Sequence, residues 1–93
     1  MVTRSLARSS NAFGAIADPT RRSILDLLRG GEHSAGDLAG RFPVSRPAIS
    51  RHIRILRRAG LVRERRYVRS RLYSLDSRAL AEVDAWLSPY RLD

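Results

Sequence analysis

The sequence predicts a mainly α-helical domain that carries one small β-hairpin, in the order α-α-α-α-β-β-α. Within Val44–Val62, the residues Ile49, Ile53 and Leu56 recur at the i, i+4, i+7 spacing of one helical face. A shorter capped segment precedes this helix across a tight turn, and the residues after it alternate in character as β-strands do. We therefore expect a small domain organised around the helix in Val44–Val62.

The opposite face of this helix is polar and basic and has no acidic residue. Ser45 is expected to cap its N-terminus, Pro47 suits its first turn, and Gly60 suits its C-terminus. A basic face is often simply solvated, but serine and several arginines together also suit a nucleic-acid groove, which is the interpretation we favour. The residues on this face are Arg46, Pro47, Ser50, Arg51, Arg54, Arg57 and Arg58.

The placement of charge along the chain favours the same interpretation. The 93 residues, enough for one small domain, carry a formal net charge of +9. Residues 46–71 hold ten of the 18 basic residues and only one acidic residue, so the whole excess lies in this segment. A concentrated positive charge of this kind is typical of phosphate binding.

Composition argues against several other classes of protein. The chain has no cysteine, which excludes disulfides and thiolate metal sites. It has no apolar run near 18 residues and no secretory signal, so we expect a cytoplasmic protein without a membrane span. It shows no nucleophile paired with a base and no phosphate-binding loop, so we expect neither an enzyme nor a cofactor.

The N-terminal part is predicted to be an arm followed by a short helix. Residues 1–10 are interpreted as a flexible arm, for which a minor-groove contact is the alternative to no role. The domain itself is expected to span residues 11–93. A short helix over Asn11–Ala17 would place Phe13 and Ile16 on one face.

A second and a third helix lead into the basic helix. Asp18 is the expected N-cap of the second helix, with Pro19 at its first position. Ser34 and Asp37 form a capping pattern for a short third helix that reaches Phe42. A short helix, a tight turn and a longer polar-faced helix make a helix-turn-helix. The apolar face of the second helix is predicted to be Ile24, Leu25 and Leu28.

The alternating residues 61–75 predict a two-stranded hairpin, or wing, with its tip near residues 67–70. An isolated hairpin is only marginally stable, so Leu72 or Leu75 must pack against the helices. A basic hairpin after such a helix can reach the DNA backbone or the minor groove. Its relevant basic residues are Arg66, Arg69 and Arg71.

Asp76 is expected to cap one last helix that reaches Tyr90 and has two apolar stripes. Two stripes need two surfaces to cover them, namely the domain's own core and a second copy of the chain. The alternative is that Trp86 merely closes the core of its own domain. The stripes are Leu80, Val83 and Leu87, and Ala79 and Trp86.

In this order and with these residues, the chain resembles the ArsR/SmtB family of bacterial winged-helix repressors. The matching stretches are ADPTRRSILDLL at Ala17–Leu28, VSRPAISRHIRILRRAGLV at Val44–Val62 and RLYSL at Arg71–Leu75. The resemblance implies a homodimer that binds an inverted repeat in double-stranded promoter DNA, with the first and last helices at the dimer interface. The expected interface residues are Phe13, Ile16, Val83, Trp86, Leu87 and Tyr90.

The chain departs from the metal-sensing members of that family. Ser34 and Gly36 stand where arsenic, lead and cadmium sensors carry Cys-x-Cys, and the last helix lacks the histidines of zinc and nickel sensors. His33 and His52, the two histidines of the chain, have too few suitable neighbours to complete a metal site, and His52 is expected to be packed and hydrogen-bonded. The resemblance is therefore to the metal-independent branch, with no inducer identified. The wing tip also lacks the glycine that many relatives have.

We expect a sequence-specific repressor, of a branch that includes autoregulators, whose central helix enters the major groove with its N-terminus first. The alternatives are a non-specific nucleoid-associated or RNA-binding protein and a winged helix that binds proteins. Residues near the helix start should reach the bases, and the later residues and the wing should contact the backbone. The expected base-reading residues are Ser45, Arg46, Pro47, Ser50 and Arg51, and the backbone-contacting residues are Arg54, Arg57, Arg58, Arg66, Arg69 and Arg71.

Overall fold

The computed structural model describes residues 11–92, so residues 1–10 and residue 93 lie outside the described residues, including the expected arm. The fold is mainly helical with one small sheet, as the sequence predicts. No helix among the described residues is long and apolar enough to cross a membrane. The elements are α1 (residues 11–15), α2 (Pro19–Leu28), β1 (His33–Ser34), α3 (Ala35–Gly40), α4 (Arg46–Arg58), β2 (Val62–Tyr67), β3 (Ser70–Leu75), a 3₁₀ turn (Ser77–Leu80), α5 (Ala81–Leu87) and a second 3₁₀ turn (Ser88–Tyr90).

Side-chain caps fix the starts of the three central helices. Asp18, Ser34 and Ser45 each accept a hydrogen bond from the backbone N–H three residues later, at 3.0, 3.1 and 3.2 Å. All three caps were predicted from the sequence and are confirmed. Gly60 follows α4 with a φ of 79°, a left-handed conformation that suits glycine and ends the helix.

The core lies between α2, α3, α4 and the inner face of the sheet. The predicted apolar face of α4 is confirmed, because Ile49, Ile53 and Leu56 are at most 4% exposed. The predicted face of α2 is buried as well. Other members of the core are Leu38, Leu61, Val62 and Tyr73.

The sheet has three antiparallel strands in the order β1-β3-β2, one more than the predicted hairpin. The hairpin and its tip are confirmed, with Tyr67 opposite Ser70. The two-residue strand β1 pairs with β3 but is too short to show alternation in the sequence. Leu75 packs against the core as expected, but the most buried wing residue is Tyr73, at 5% exposure.

The prediction of one continuous last helix is wrong. Asp76 does cap the segment, but it accepts from the backbone N–H of Arg78, only two residues later, which begins a 3₁₀ turn. At the other end α5 stops at Leu87, because Pro89 has no N–H to continue the helical hydrogen bonds. α1 and α3 also end two residues earlier than expected, at residue 15 and at Gly40. Beyond the end of α3, Phe42 packs against the core.

Asp76 also joins the wing to the C-terminal segment. Its carboxylate accepts hydrogen bonds from Arg78 at 2.8 Å and from Arg63 at 3.0 Å. These hydrogen bonds, that of the Arg78 side chain above all, hold the pKa of Asp76 well below its ordinary value of 3.8. A carboxyl whose pKa is lower in the folded state stabilises the fold above its unfolded pKa, and this stabilisation is lost as the pH falls through the folded value.

We therefore expect Asp76→Asn to lower the free energy of unfolding near pH 7. The difference from the wild type should shrink as the pH falls below about 4, because the carboxyl of the unfolded wild-type chain then takes up a proton while that of the folded chain is still ionised. Urea unfolding near pH 7 and at about pH 3 measures both values. Asp26→Asn, at an exposed position outside the ion pairs of residues 11–92, is the matched control. A difference that stays constant with pH would contradict this role of Asp76.

Candidate nucleic-acid interface

The polar face of α4 is open to solvent along its whole length. Its amphipathic pattern buries one side of the helix in the core, so the opposite side points outward. The cap of Ser45 fixes where the helix begins, and Pro47 occupies its first turn. The predicted contact residues of this helix are all exposed: Ser45, Arg46, Pro47, Ser50, Arg51, Arg54, Arg57 and Arg58.

The register of the hairpin sorts the wing side chains onto two faces. Glu64 pairs with Tyr73 and Arg66 with Arg71, and cross-strand partners share a face of the sheet. Glu64, Tyr73 and Arg71 line a cleft against α4, so this is the face that looks toward the helix. The cleft has a volume of about 160 Å³, and α4 contributes Arg46, Ser50, Arg54 and Arg57 to its lining. Arg71 of the wing thus shares one surface with arginines of α4.

Glu64, the one acidic residue of the basic segment, ties the wing to α4. Its carboxylate lies 3.3 Å from the guanidinium of Arg57. Burial raises the pKa of the Tyr73 hydroxyl, and the neighbouring Glu64 carboxylate raises it further. An ion pair within the cleft therefore links the wing to α4.

Ion pairs divide the ten arginines of residues 46–71 into two groups. Three have an acidic partner: Arg57 with Glu64, Arg63 with Asp76 at 3.0 Å, and Arg65 with Glu32 at 2.6 Å. Among the described residues, the other seven have no acidic partner within 4.0 Å, and all seven were predicted to contact DNA. They are Arg46, Arg51, Arg54, Arg58, Arg66, Arg69 and Arg71.

The uncompensated charge is therefore concentrated on α4 and around the wing tip. Sequence reasoning missed the pairing of Arg63 and Arg65, because Asp76 and Glu32 lie outside the basic segment. The alternation of side chains along β2 was the available signal, because it places Arg63 and Arg65 on the face of the strand opposite Arg66.

The wing tip turns on a strained residue. Val68 has a φ of 58°, which β-branched residues rarely adopt, and its side chain is 81% exposed. Because glycine adopts this φ without strain, Val68→Gly should increase the free energy of unfolding by about 1 kcal/mol. Urea unfolding of the variant tests this expectation, and a loss of stability would contradict the strain.

A second surface, which we call the aromatic patch, joins the half-buried Phe13 of α1 to the exposed Trp86, Leu87 and Tyr90 of the C-terminal segment. The ring of Trp86 meets Phe13 edge-on at 5.8 Å and lies 5.1 Å from the ring of Tyr90. Trp86 is 57% exposed, so the alternative that it closes the core of its own domain is wrong. Two other predicted interface residues are more enclosed: Ile16 packs against the core of the same chain, and Val83 is half-buried.

The two histidines take part in hydrogen bonds. His52 is half-buried and lies 3.2 Å from Arg21, which confirms the expectation of a packed, hydrogen-bonded side chain. His33 Nδ1 lies 2.5 Å from a carboxylate oxygen of Asp37. This contact, together with the Arg41 side chain, lowers the pKa of Asp37. Within residues 11–92, no three side chains of the metal-ligating types come together.

Comparison with known proteins identifies the family. Residues 16–65 match a helix-turn-helix domain family. The chain is 45% identical over 78 residues to the transcriptional repressor SdpR of Bacillus subtilis, covering 84% of this chain and 87% of the relative. It is 40% identical over 74 residues to the transcriptional activator HlyU of Vibrio cholerae, covering 80% of this chain and 68% of that protein.

Solved structures agree with this assignment. The crystal structure of an ArsR family transcriptional regulator superposes with a TM-score of 0.82 at 31% identity, covering 90% of this chain and 87% of the other. The capped helix-turn-helix, the wing beside it and these relatives lead to one conclusion. The chain belongs to the ArsR/SmtB family of winged helix-turn-helix, DNA-binding transcriptional regulators.

Proposed function

We propose that the protein is a homodimeric transcriptional repressor that binds an inverted-repeat operator. In this proposal α4 enters the major groove and the wing lies against the neighbouring backbone. The observation that carries the proposal is the set of seven arginines that have no acidic partner within residues 11–92 and that occupy one helix face and the adjoining wing. Their charge suits phosphates, while the short polar residues at the start of α4 suit base edges.

The positions along α4 suggest how the contacts divide. Arg46, Pro47, Ser50 and Arg51 lie in the first two turns, which reach deepest when a recognition helix enters the groove with its N-terminus. Arg54 and Arg58 lie further along the helix, where they would contact the DNA backbone. On the wing, Arg66 faces Arg71 directly across the strands. Like charges in this position repel each other, and a phosphate between them would relieve that repulsion.

The aromatic patch supports the dimer. Soluble monomers rarely leave clustered aromatic and aliphatic side chains this exposed, and a second copy related by a two-fold axis would cover the patch. Two copies would present two α4 helices to one side of the DNA. For both to enter the major groove they must lie about 34 Å apart, one turn of the double helix.

We infer repression rather than activation from the similarity of the chain to the repressor SdpR. HlyU, an activator by name, is also similar, so the direction of control needs its own measurement. Expression of a reporter gene placed downstream of the bound sequence measures the direction of control. Expression that falls when the protein is present supports repression, and expression that rises contradicts it.

The dimer and the operator are tested together by selecting bound duplexes from random DNA and by sedimentation. We expect an enriched inverted repeat and a protein mass near twice 10.5 kDa. A monomer at high concentration would contradict the dimer. Binding that enriches no sequence would instead indicate a non-specific nucleoid-associated protein.

Control of binding is proposed to be independent of metal. The chain has no cysteine, and its two histidines are engaged with Arg21 and Asp37. Zinc, cadmium, arsenite or a chelator should therefore leave the operator affinity within about twofold of its value without additions. Fluorescence anisotropy of a labelled operator measures this affinity. Release of DNA by a stoichiometric metal would refute the proposal.

A further inference from the structure

One side chain connects the end of α1 with the recognition helix. The guanidinium of Arg21, on α2, donates from Nε to the carbonyl of Ala15 at 2.7 Å and from Nη2 to the carbonyl of Gly14 at 3.1 Å. Its third nitrogen, Nη1, lies 3.2 Å from Nδ1 of His52 on α4. The planar fork of this arginine thus spans three acceptors on two helices, which the single ammonium group of lysine cannot do.

The chemistry of the third contact fixes its direction. A guanidinium has only donors, so Nδ1 of His52 must be the acceptor in this contact. The nearby carboxylate of Asp18 lies 3.9 Å from Nδ1, too far to accept a hydrogen bond from it. Asp18 is engaged instead in capping α2, where it accepts from the backbone N–H of Arg21. His52 therefore serves as an acceptor on α4 for the side chain that also holds α1.

The two helices joined by Arg21 have different tasks in the proposed function. α1 carries Phe13 of the aromatic patch, and α4 carries the arginines that face DNA. In a dimer formed through the patch, the angle between α1 and α4 sets the distance between the two recognition helices.

We propose that Arg21 is a positioning residue that sets this angle through His52, and thereby the spacing of half-sites that the dimer accepts. The proposal rests on the proposed function above. It concerns only the relation between the two half-sites, since neither Arg21 nor His52 belongs to the surface assigned to DNA contact.

The adjacent residue provides a matched control. Arg22 also donates to the end of α1, to the carbonyl of Ile16 at 2.8 Å, and no hydrogen bond to α4 is found for it among the described residues. Arg22→Lys therefore perturbs a cap of α1 without touching the connection. His52→Asn keeps an acceptor on α4 at the position of Nδ1, whereas His52→Ala removes it.

The experiment measures the affinity of each variant for the selected inverted repeat and for a single half-site, and repeats the selection with half-sites at varied spacing. Arg21→Lys and His52→Ala should each weaken binding to the full site about fivefold, leave half-site affinity unchanged and broaden the accepted spacing. The double variant should be no worse than either single one, because both remove the same contact. Arg22→Lys and His52→Asn should behave like the wild type.

Three results would overturn the inference. They are an unchanged spacing preference in His52→Ala, equal losses on the full site and the half-site, and additive losses in the double variant. Thermal unfolding identifies a variant that fails to fold. If Arg21→Lys fails, His52→Ala, which removes only one of the three contacts of Arg21, decides the question. A wild-type protein that selects no inverted repeat contradicts the proposed function itself. If instead the wild type selects an inverted repeat and the variants keep its spacing preference, only the role of Arg21 is contradicted.

Discussion

Arg51→Ala should lower the affinity for the operator by about 1–3 kcal/mol and leave the affinity for random DNA almost unchanged. Arg51 lies in the second turn of α4, is exposed and has no acidic partner among the described residues. At this depth a guanidinium can donate two hydrogen bonds to one guanine, a contact that exists only on the correct sequence. Fluorescence anisotropy on both duplexes over a range of salt concentrations measures the effect.

Arg69→Ala is the matched control, because it removes the same charge from the wing tip. It should weaken binding to both duplexes about equally and lower the slope of log affinity against log salt by about 1 per subunit. Equal losses on operator and random DNA for Arg51→Ala would mean that α4 only clamps phosphates.

Leu56→Ala should lower the free energy of unfolding by about 2–5 kcal/mol. Leu56 is fully buried on the inner face of α4, and its truncation leaves a cavity beneath the recognition helix. This loss is a large part of the total stability of a typical domain, about 5–15 kcal/mol. Urea unfolding measures it.

The neighbouring half-buried Ile55 provides the comparison, because Ile55→Ala should cost clearly less. Equal costs at the two positions would show that the core beneath α4 is not packed as described.

Local patterns explain why much of this fold could be predicted. The spacing of Ile49, Ile53 and Leu56 determines which side of α4 faces the core, so the exposed basic face follows from geometry alone. The caps at Asp18, Ser34 and Ser45 act within three residues of themselves, and their signal is complete in the sequence.

Features that depend on distant residues could not be predicted in the same way. Strand β1 exists because His33 and Ser34 meet β3, some forty residues later in the chain. The pairing of Arg65 with Glu32 joins residues 33 apart, and no local pattern marks it. The end of α5 at Leu87 depended on the balance between a favourable helical pattern and the missing N–H of Pro89, which a local pattern does not decide.

Recovering the DNA bound across the genome and searching beneath the peaks for a shared motif shows whether α4 gives sequence-specific DNA binding. We expect one motif with two-fold symmetry whose half-sites lie about one helical turn apart. Peaks without a common motif, spread in proportion to accessible DNA, would contradict this expectation.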